Sequence, residues 1–232
     1  MSPTIDSRSP EDLTARARIR DAAMVEFATH GFTRATMKGI AEAAGVSTGL
    51  VQHHFGTKQG LRQACDEAVL EIVRRKLDVI AEIDREGTVR PDIISSLYGS
   101  SPLAVRYLIR VLVEGSEEGP ALFDELASET ERFLSGARPD LFPPGTTYAR
   151  DGAAVMTSMH LGVAVFEAHL SRRLGLEVAE AASAARVGLI MLDVYMTMAD
   201  WIASETGGRA RTAIHRYAED PDTGRNKEQN DG

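Results

Sequence analysis

Residues 36–55 read TMKGIAEAAGVSTGLVQHHF, and the fold turns on how this stretch divides. Ile40, Ala41, Ala44, Val46, Val51 and Phe55 are spaced to line the inside of two short helices. The first is predicted from Met37 to about Ala44 with Thr36 as its cap, the second from Thr48 to His54 with Ser47 as its cap. A hydroxyl at each of those positions can accept an N–H group that the first helical turn leaves unpaired. Between them Gly45 permits the positive φ of a tight corner, and Ala41 and Ala44 are small where the two axes must cross. This is the spacing of a helix-turn-helix.

In that geometry the second helix enters the major groove of DNA and the first spans the backbone, which turns Thr48, Gln52 and His53 toward bases or phosphates. The Gln52 amide offers an acceptor and a donor to an adenine edge, and the Thr48 hydroxyl suits a base or a phosphate. Thr36 and Lys38 begin the preceding helix, where exposed N–H groups assist phosphate binding. Lys58 opens the next helix and is expected to hold a phosphate on the far side. Gly49 removes bulk where the recognition helix meets the DNA backbone. Taken singly, each is an ordinary polar surface residue of a helical bundle; the combination points to DNA. The neighbouring His53 and His54 project about 100° apart on a helix and do not chelate one ion, and no Cys or carboxylate lies at zinc-site spacing. No metal, cofactor or catalytic motif is expected.

Working outward, helical periodicity extends through almost the whole chain, and no alternation is long enough for a sheet. A first helix is predicted from Ser9-Pro10 to just before Gly31, with Ile19, Ala23 and Phe27 inside. A long helix is predicted from Thr57 to about Asp84, because Leu61, Cys65, Ala68/Val69, Ile72, Lys76, Val79/Ile80 and Ile83 recur every three to four residues. Cys65 on that stripe reads as a packed thiol, with a redox sensor as the alternative. Further helices are expected at 91–98, 102–115 and 120–136, then a loop over the three prolines of 138–145. Two last helices, about 146–174 and 176–205, are apolar nearly all round. In the second, Asp193, Thr197, Asp200 and Ser204 leave only a narrow polar stripe. Val187, Ile190, Val194, Met198 and Trp201 then need cover that one chain of this size seldom supplies, and a subunit interface is expected there. An internal helical hairpin is the alternative.

With 232 residues, 43% of them hydrophobic, the chain can bury a core without disulfide or metal staples. One cysteine excludes an intrachain disulfide, and no apolar run is long enough for a membrane span. The opening MSPTIDSRSPEDL has no signal-peptide core. A cytoplasmic location without membrane association is expected. The net charge is −8, yet residues 1–60 carry +1 and the remainder −9. Indiscriminate coating of nucleic acid is therefore disfavoured, and a DNA contact must be local to the N-terminal quarter.

Residues of about 13–61 resemble the DNA-binding domain of the TetR family of transcriptional regulators. Ile19-Arg-Asp-Ala-Ala, Phe27, Gly31-Phe32, Thr36, Ile40-Ala41, Ala44-Gly45-Val46-Ser47, Gly49, His54-Phe55, Lys58 and Leu61 carry the resemblance. It implies an all-α homodimer: an N-terminal three-helix helix-turn-helix domain, then a larger helical ligand-binding and dimerisation domain closed by a dimerising helix pair. Family DNA contacts map onto Thr36, Lys38, Thr48, Leu50, Gln52, His53 and Lys58. Gln52 departs from the pattern, which most often has tyrosine there. The expected division is an N-terminal arm and helix-turn-helix domain at 1–56, a helical domain at 57–205 with 57–84 connecting, and a disordered tail at 206–232. The expected function is a repressor acting on a palindromic double-stranded operator and released by a small, largely apolar molecule. Tyr107, Phe123, Met156, Met159, His160 and Phe166 are pocket candidates, with core packing as the competing role for each. A helical enzyme or carrier, or a protein-binding scaffold, is the alternative function.

Overall fold

The computed structural model describes residues 10–86, 102–113, 119–178 and 180–219. Its regular structure is helical, with no strand among the described residues. Helix α1, Pro10–Arg34, is interrupted at the predicted stop: Gly31 has φ 75° and ψ 160°, outside helical geometry. A side chain there would be strained, and its Cβ would stand 3.3 Å from the Arg110 guanidinium. Then come α2 (Met37–Ala44), α3 (Thr48–Phe55) and the long α4 (Lys58–Glu86), within a residue or two of the predicted bounds. The helices expected at 102–115 and 120–136 are α5 (Pro102–Val113) and α6 (Gly119–Ala137). The one expected at 91–98 lies outside the described residues.

The C-terminal half differs from expectation. The predicted helix 146–174 is two helices, α7 (Thr147–Val165) and α8 (Glu167–Leu174), set at 59° about Phe166. Neither proline nor positive φ marks that break; Phe166 itself sits at φ −95° and ψ 17°. Helix α9 spans Ala181–Ala203 and is followed by α10, Glu205–Glu219, at 79°. The expected disordered tail is therefore helical over its first part. Ser204 makes the corner: its hydroxyl donates to the Trp201 carbonyl at 2.6 Å and accepts the Gly207 N–H at 3.2 Å, capping the new helix. No single described helix is long and apolar enough to cross a membrane.

The chain forms two compact units, one ending at Ser183 and one beginning at Ala184. Compactness does not change at residue 57, because α1 packs on α5 as well as on α2 and α4. In the first unit Ile19, Ala23, Ile40, Val51, Leu61, Cys65 and Tyr107 are fully buried. The Phe27 ring lies 5.4 Å from Phe32 and 6.3 Å from Tyr107, centroid to centroid, spacings that favour tilted aromatic pairs. Cys65 is packed here, its thiol 3.6 Å from the Arg20 carbonyl. Burial raises its pKa well above the ordinary thiol value, which disfavours the reactive thiolate and the sensor role. In the second unit Val187 is buried, whereas Ile190, Val194, Met198 and Trp201 are exposed on α9.

Candidate nucleic-acid interface and ligand cavity

The corner between α2 and α3 is built by its own backbone. Gly45 adopts φ 65° and ψ 38°, its N–H bonds to the Glu42 carbonyl, and the Val46 N–H bonds to the Ala41 carbonyl at 3.0 Å. This paired closure satisfies carbonyls that the end of α2 leaves open. Thr36 Oγ1 accepts the Gly39 N–H at 3.0 Å, and Ser47 Oγ accepts the Leu50 N–H at 3.2 Å, so both predicted caps form. Val51 and Phe55 anchor one side of α3 in the core, which leaves Gly49, Gln52 and His53 exposed and Thr48 half-buried on the other. Leu50 is half-buried and packs on the core rather than standing free. A Cβ on Gly49 would meet only Ser47 Oγ, at 3.8 Å. Among the described residues nothing requires a glycine there, and the bare backbone is available to an outside group.

The cations divide between two roles. Lys38 is exposed and lies 3.7 Å from Glu42 one turn on, a surface pair that holds its charge weakly. Lys58 is different. Its ammonium donates to the carbonyls of Ala35 at 2.8 Å and Thr33 at 3.3 Å and lies 4.5 Å from the centre of the Phe32 ring. Within the chain, Lys58 latches α4 to the α1–α2 corner. The carbonyls after the Gly31 break need a donor, and a lysine at the start of α4 is within reach.

Behind this head, Tyr107 of α5 donates to Asp66 Oδ1 at 2.5 Å, while Asp66 Oδ2 lies 3.5 Å from buried Arg62, whose guanidinium stands over Phe32 at 5.5 Å. Burial first, and then the Asp66 charge, pushes the phenol's pKa far above its ordinary value, so it remains a donor. Tyr107 therefore belongs to the core, not to a pocket. On its other side α5 contributes Ala104, Val105 and Leu108 to a cavity of about 320 Å³, closed by α4, α6 and α7. Of the expected pocket residues, Met156 and His160 line it. Phe123 does not, and Met159 and Phe166 lie on outer surfaces, 51% and 59% exposed. The cavity wall includes none of these three: Phe123 lies on α6, Met159 on α7 and Phe166 at the break between α7 and α8. Missed by the sequence reading were Lys76, Thr130 and Thr157, which with His160 supply the polar atoms of a mostly apolar wall. Lys76 interrupts the inner stripe of α4, which is the signal that finds it.

Residues 19–65 match the family described as bacterial regulatory proteins, tetR family. The chain is 40% identical over 134 residues to the transcriptional regulatory protein RaaS of Mycobacterium tuberculosis, covering 57% of this chain and 62% of that one. It is 29% identical over 156 residues to the regulator BetI of Agrobacterium fabrum, covering 63% and 75%. It is also 38% identical over 60 residues to the regulator UidR of Escherichia coli, covering 26% and 31%. The chain thus spans under two thirds of RaaS and under a third of UidR. Among solved structures, a putative TetR-family transcriptional regulator from Rhodococcus sp. aligns with a TM-score of 0.52 at 19% identity, over 78% of this chain and 97% of that one. That likeness shows a shared helical fold.

Proposed function

We propose, for a chain whose residues 19–65 match the tetR family of bacterial regulatory proteins, that it is a dimeric, sequence-specific repressor released from its operator by a small, largely apolar molecule. The observation that carries this reading is the face of α3 opposite Val51 and Phe55, where Gly49, Gln52 and His53 stand in solvent beside a rigidly capped corner. In the major groove this face brings the Gln52 amide to a base edge, and Thr48 and Thr36 to bases or phosphates. The exposed apolar side chains of α9, among them Val194, Met198 and Trp201, and those of α7, Val155 and Met159, are surfaces that a second copy would cover.

The route from effector to operator runs through α5. One face of this helix lines the cavity, and the other holds Tyr107 against Phe27 and Arg110 against the Gly31 break. A ligand that wedges α5 away from α4 presses on α1 and on the base of the reading head. Recognition positions on one face of DNA recur about every 34 Å, so a small change in head separation deprives one half-site of its contacts. Ligand and operator then oppose each other reciprocally, by about 1–3 kcal/mol in typical allosteric systems.

Selecting bound sites from random duplexes tests the reading. A palindrome should emerge, and Gln52→Ala should relax preference at one base pair in each half-site by about 1–3 kcal/mol. Recovery of no common sequence would remove the repressor reading. A uniform loss of affinity in Gln52→Ala would remove base readout by Gln52 alone.

A further inference from the structure

Two buried hydroxyls give the cavity between α4, α5, α6 and α7 a chemical direction. Its walls are mostly aliphatic, with Leu108, Leu126 and Leu161 among them, and Thr130 of α6 and Thr157 of α7 line it where those helices pack together. Each threonine is only 6% exposed, so its bonds are decided inside the fold. Thr130 Oγ1 lies 3.1 Å from the Leu126 carbonyl of its own helix, and Thr157 Oγ1 lies 2.9 Å from Thr130 Oγ1. A carbonyl only accepts and a hydroxyl carries one proton, which fixes the order. Thr130 donates to Leu126, and Thr157 donates to Thr130. Both protons are then used, while lone pairs of Thr157 stay open. The pair can accept from a guest and cannot donate to one.

The other polar groups of the wall do not reverse this. A neutral imidazole has one ring proton, and His160 directs it from Nδ1 to the Met156 carbonyl at 2.8 Å. Lys76 is already engaged within the chain, and burial lowers its pKa, because its surroundings disfavour charge. A guest whose polar atom only accepts therefore gives up its bonds to water without replacement. A guest with an O–H directed at Thr157 exchanges one bond for another. An amine of the same shape would bring a second cation near Lys76. The volume of about 320 Å³ lies at the small end for ligand pockets, which run from roughly 300 to 1,000 Å³.

Resting on the reading of this cavity as the effector site, we propose that its ligand is an uncharged aliphatic alcohol, its hydroxyl donating to Thr157 Oγ1. The polar end is held on α6 and α7. The chain lies against Val69 and Val73 of α4 and Leu108 of α5, so the ligand bears on both helices that support the reading head.

The isomers 1-octanol and 1-methoxyheptane each carry one oxygen and differ in whether it holds a proton or a methyl group. Titrated calorimetrically into the full chain, octanol should bind roughly three- to tenfold more tightly than the ether, the worth of one hydrogen bond, and more tightly than octanoate. Thr157→Val, which keeps the shape and deletes the acceptor, should abolish the preference for octanol while leaving ether binding unchanged; Thr157→Ser should retain it. Equal binding of the isomers to the native chain, absence of octanol binding, tighter binding of octanoate, or a preference that survives Thr157→Val would each overturn the proposal. Operator release is measured separately on the selected duplex. Thr157-dependent octanol binding without release upholds the ligand and removes the regulatory reading.

Discussion

The helix-turn-helix head and helix α9 are both rich in apolar residues, yet the first buries them within its own unit, whereas the described residues of the second unit leave those of α9 exposed. In the head, Ile40, Val51 and Leu61 lose all contact with solvent, while the opposite side of α3 stays polar and open. On α9, Val194 and Met198 each remain 49% exposed and Trp201 is 54% exposed. The width of the apolar arc separates the two cases. Helices α2 and α3 present one apolar side each, and α1, α4 and the corner suffice to cover it. Helix α9 has a narrow polar line, along which Thr197 bonds to the Asp193 carbonyl at 2.8 Å. An apolar pattern therefore states that a side chain must leave water, and the arc's width states how many surfaces are needed to remove it.

The largest effect that bears on this contrast is expected at Tyr107, which is fully buried where α5 supports the head. Tyr107→Ala should cost about 3–5 kcal/mol in urea unfolding. A loss under about 1 kcal/mol would show that the head closes without α5. Next in size is a charge on α9. Val194→Asp should leave unfolding of the single chain nearly unchanged and weaken self-association at least 100-fold, about 2.7 kcal/mol, in sedimentation equilibrium. A variant that stays dimeric at the native concentration would move the uncovered surface away from α9.

The head was legible because its determinants are local. Two caps, one left-handed glycine and a few inward side chains lie within twenty residues, and each acts on a neighbour three to five positions away. The pocket was less legible because its wall is assembled from four helices distant in sequence. Tyr107 has the amphipathic character of a pocket residue, but its hydroxyl is claimed by Asp66, 41 positions earlier. Met159 and Phe166 are as apolar as Met156, and only the packing of α7 decides which of them faces the cavity. The bend at Phe166 carries no breaker in the sequence. The helix beyond Ser204 is polar enough to resemble a tail, and its start depends on one hydroxyl cap that composition does not reveal. Lys76 was visible as a charge within an apolar stripe, a pattern that marks a residue whose surroundings need explanation.

Lys58 gives the smallest and sharpest test, because its place at the start of α4 was legible whereas its direction was set by tertiary contacts. A lysine on a phosphate releases about one counterion and adds about 0.9 to the slope of log K against log salt for each contact. The Lys58 ammonium instead faces two carbonyls and an aromatic ring of the α1–α2 corner. Lys58→Met keeps the aliphatic stem and removes those bonds, so it should lower stability by about 1–2 kcal/mol. Operator affinity should fall through misplacement of the head, with the salt slope unchanged. A slope reduced by about one unit at full stability would place the ammonium on DNA and leave the corner to close by its glycine and caps alone.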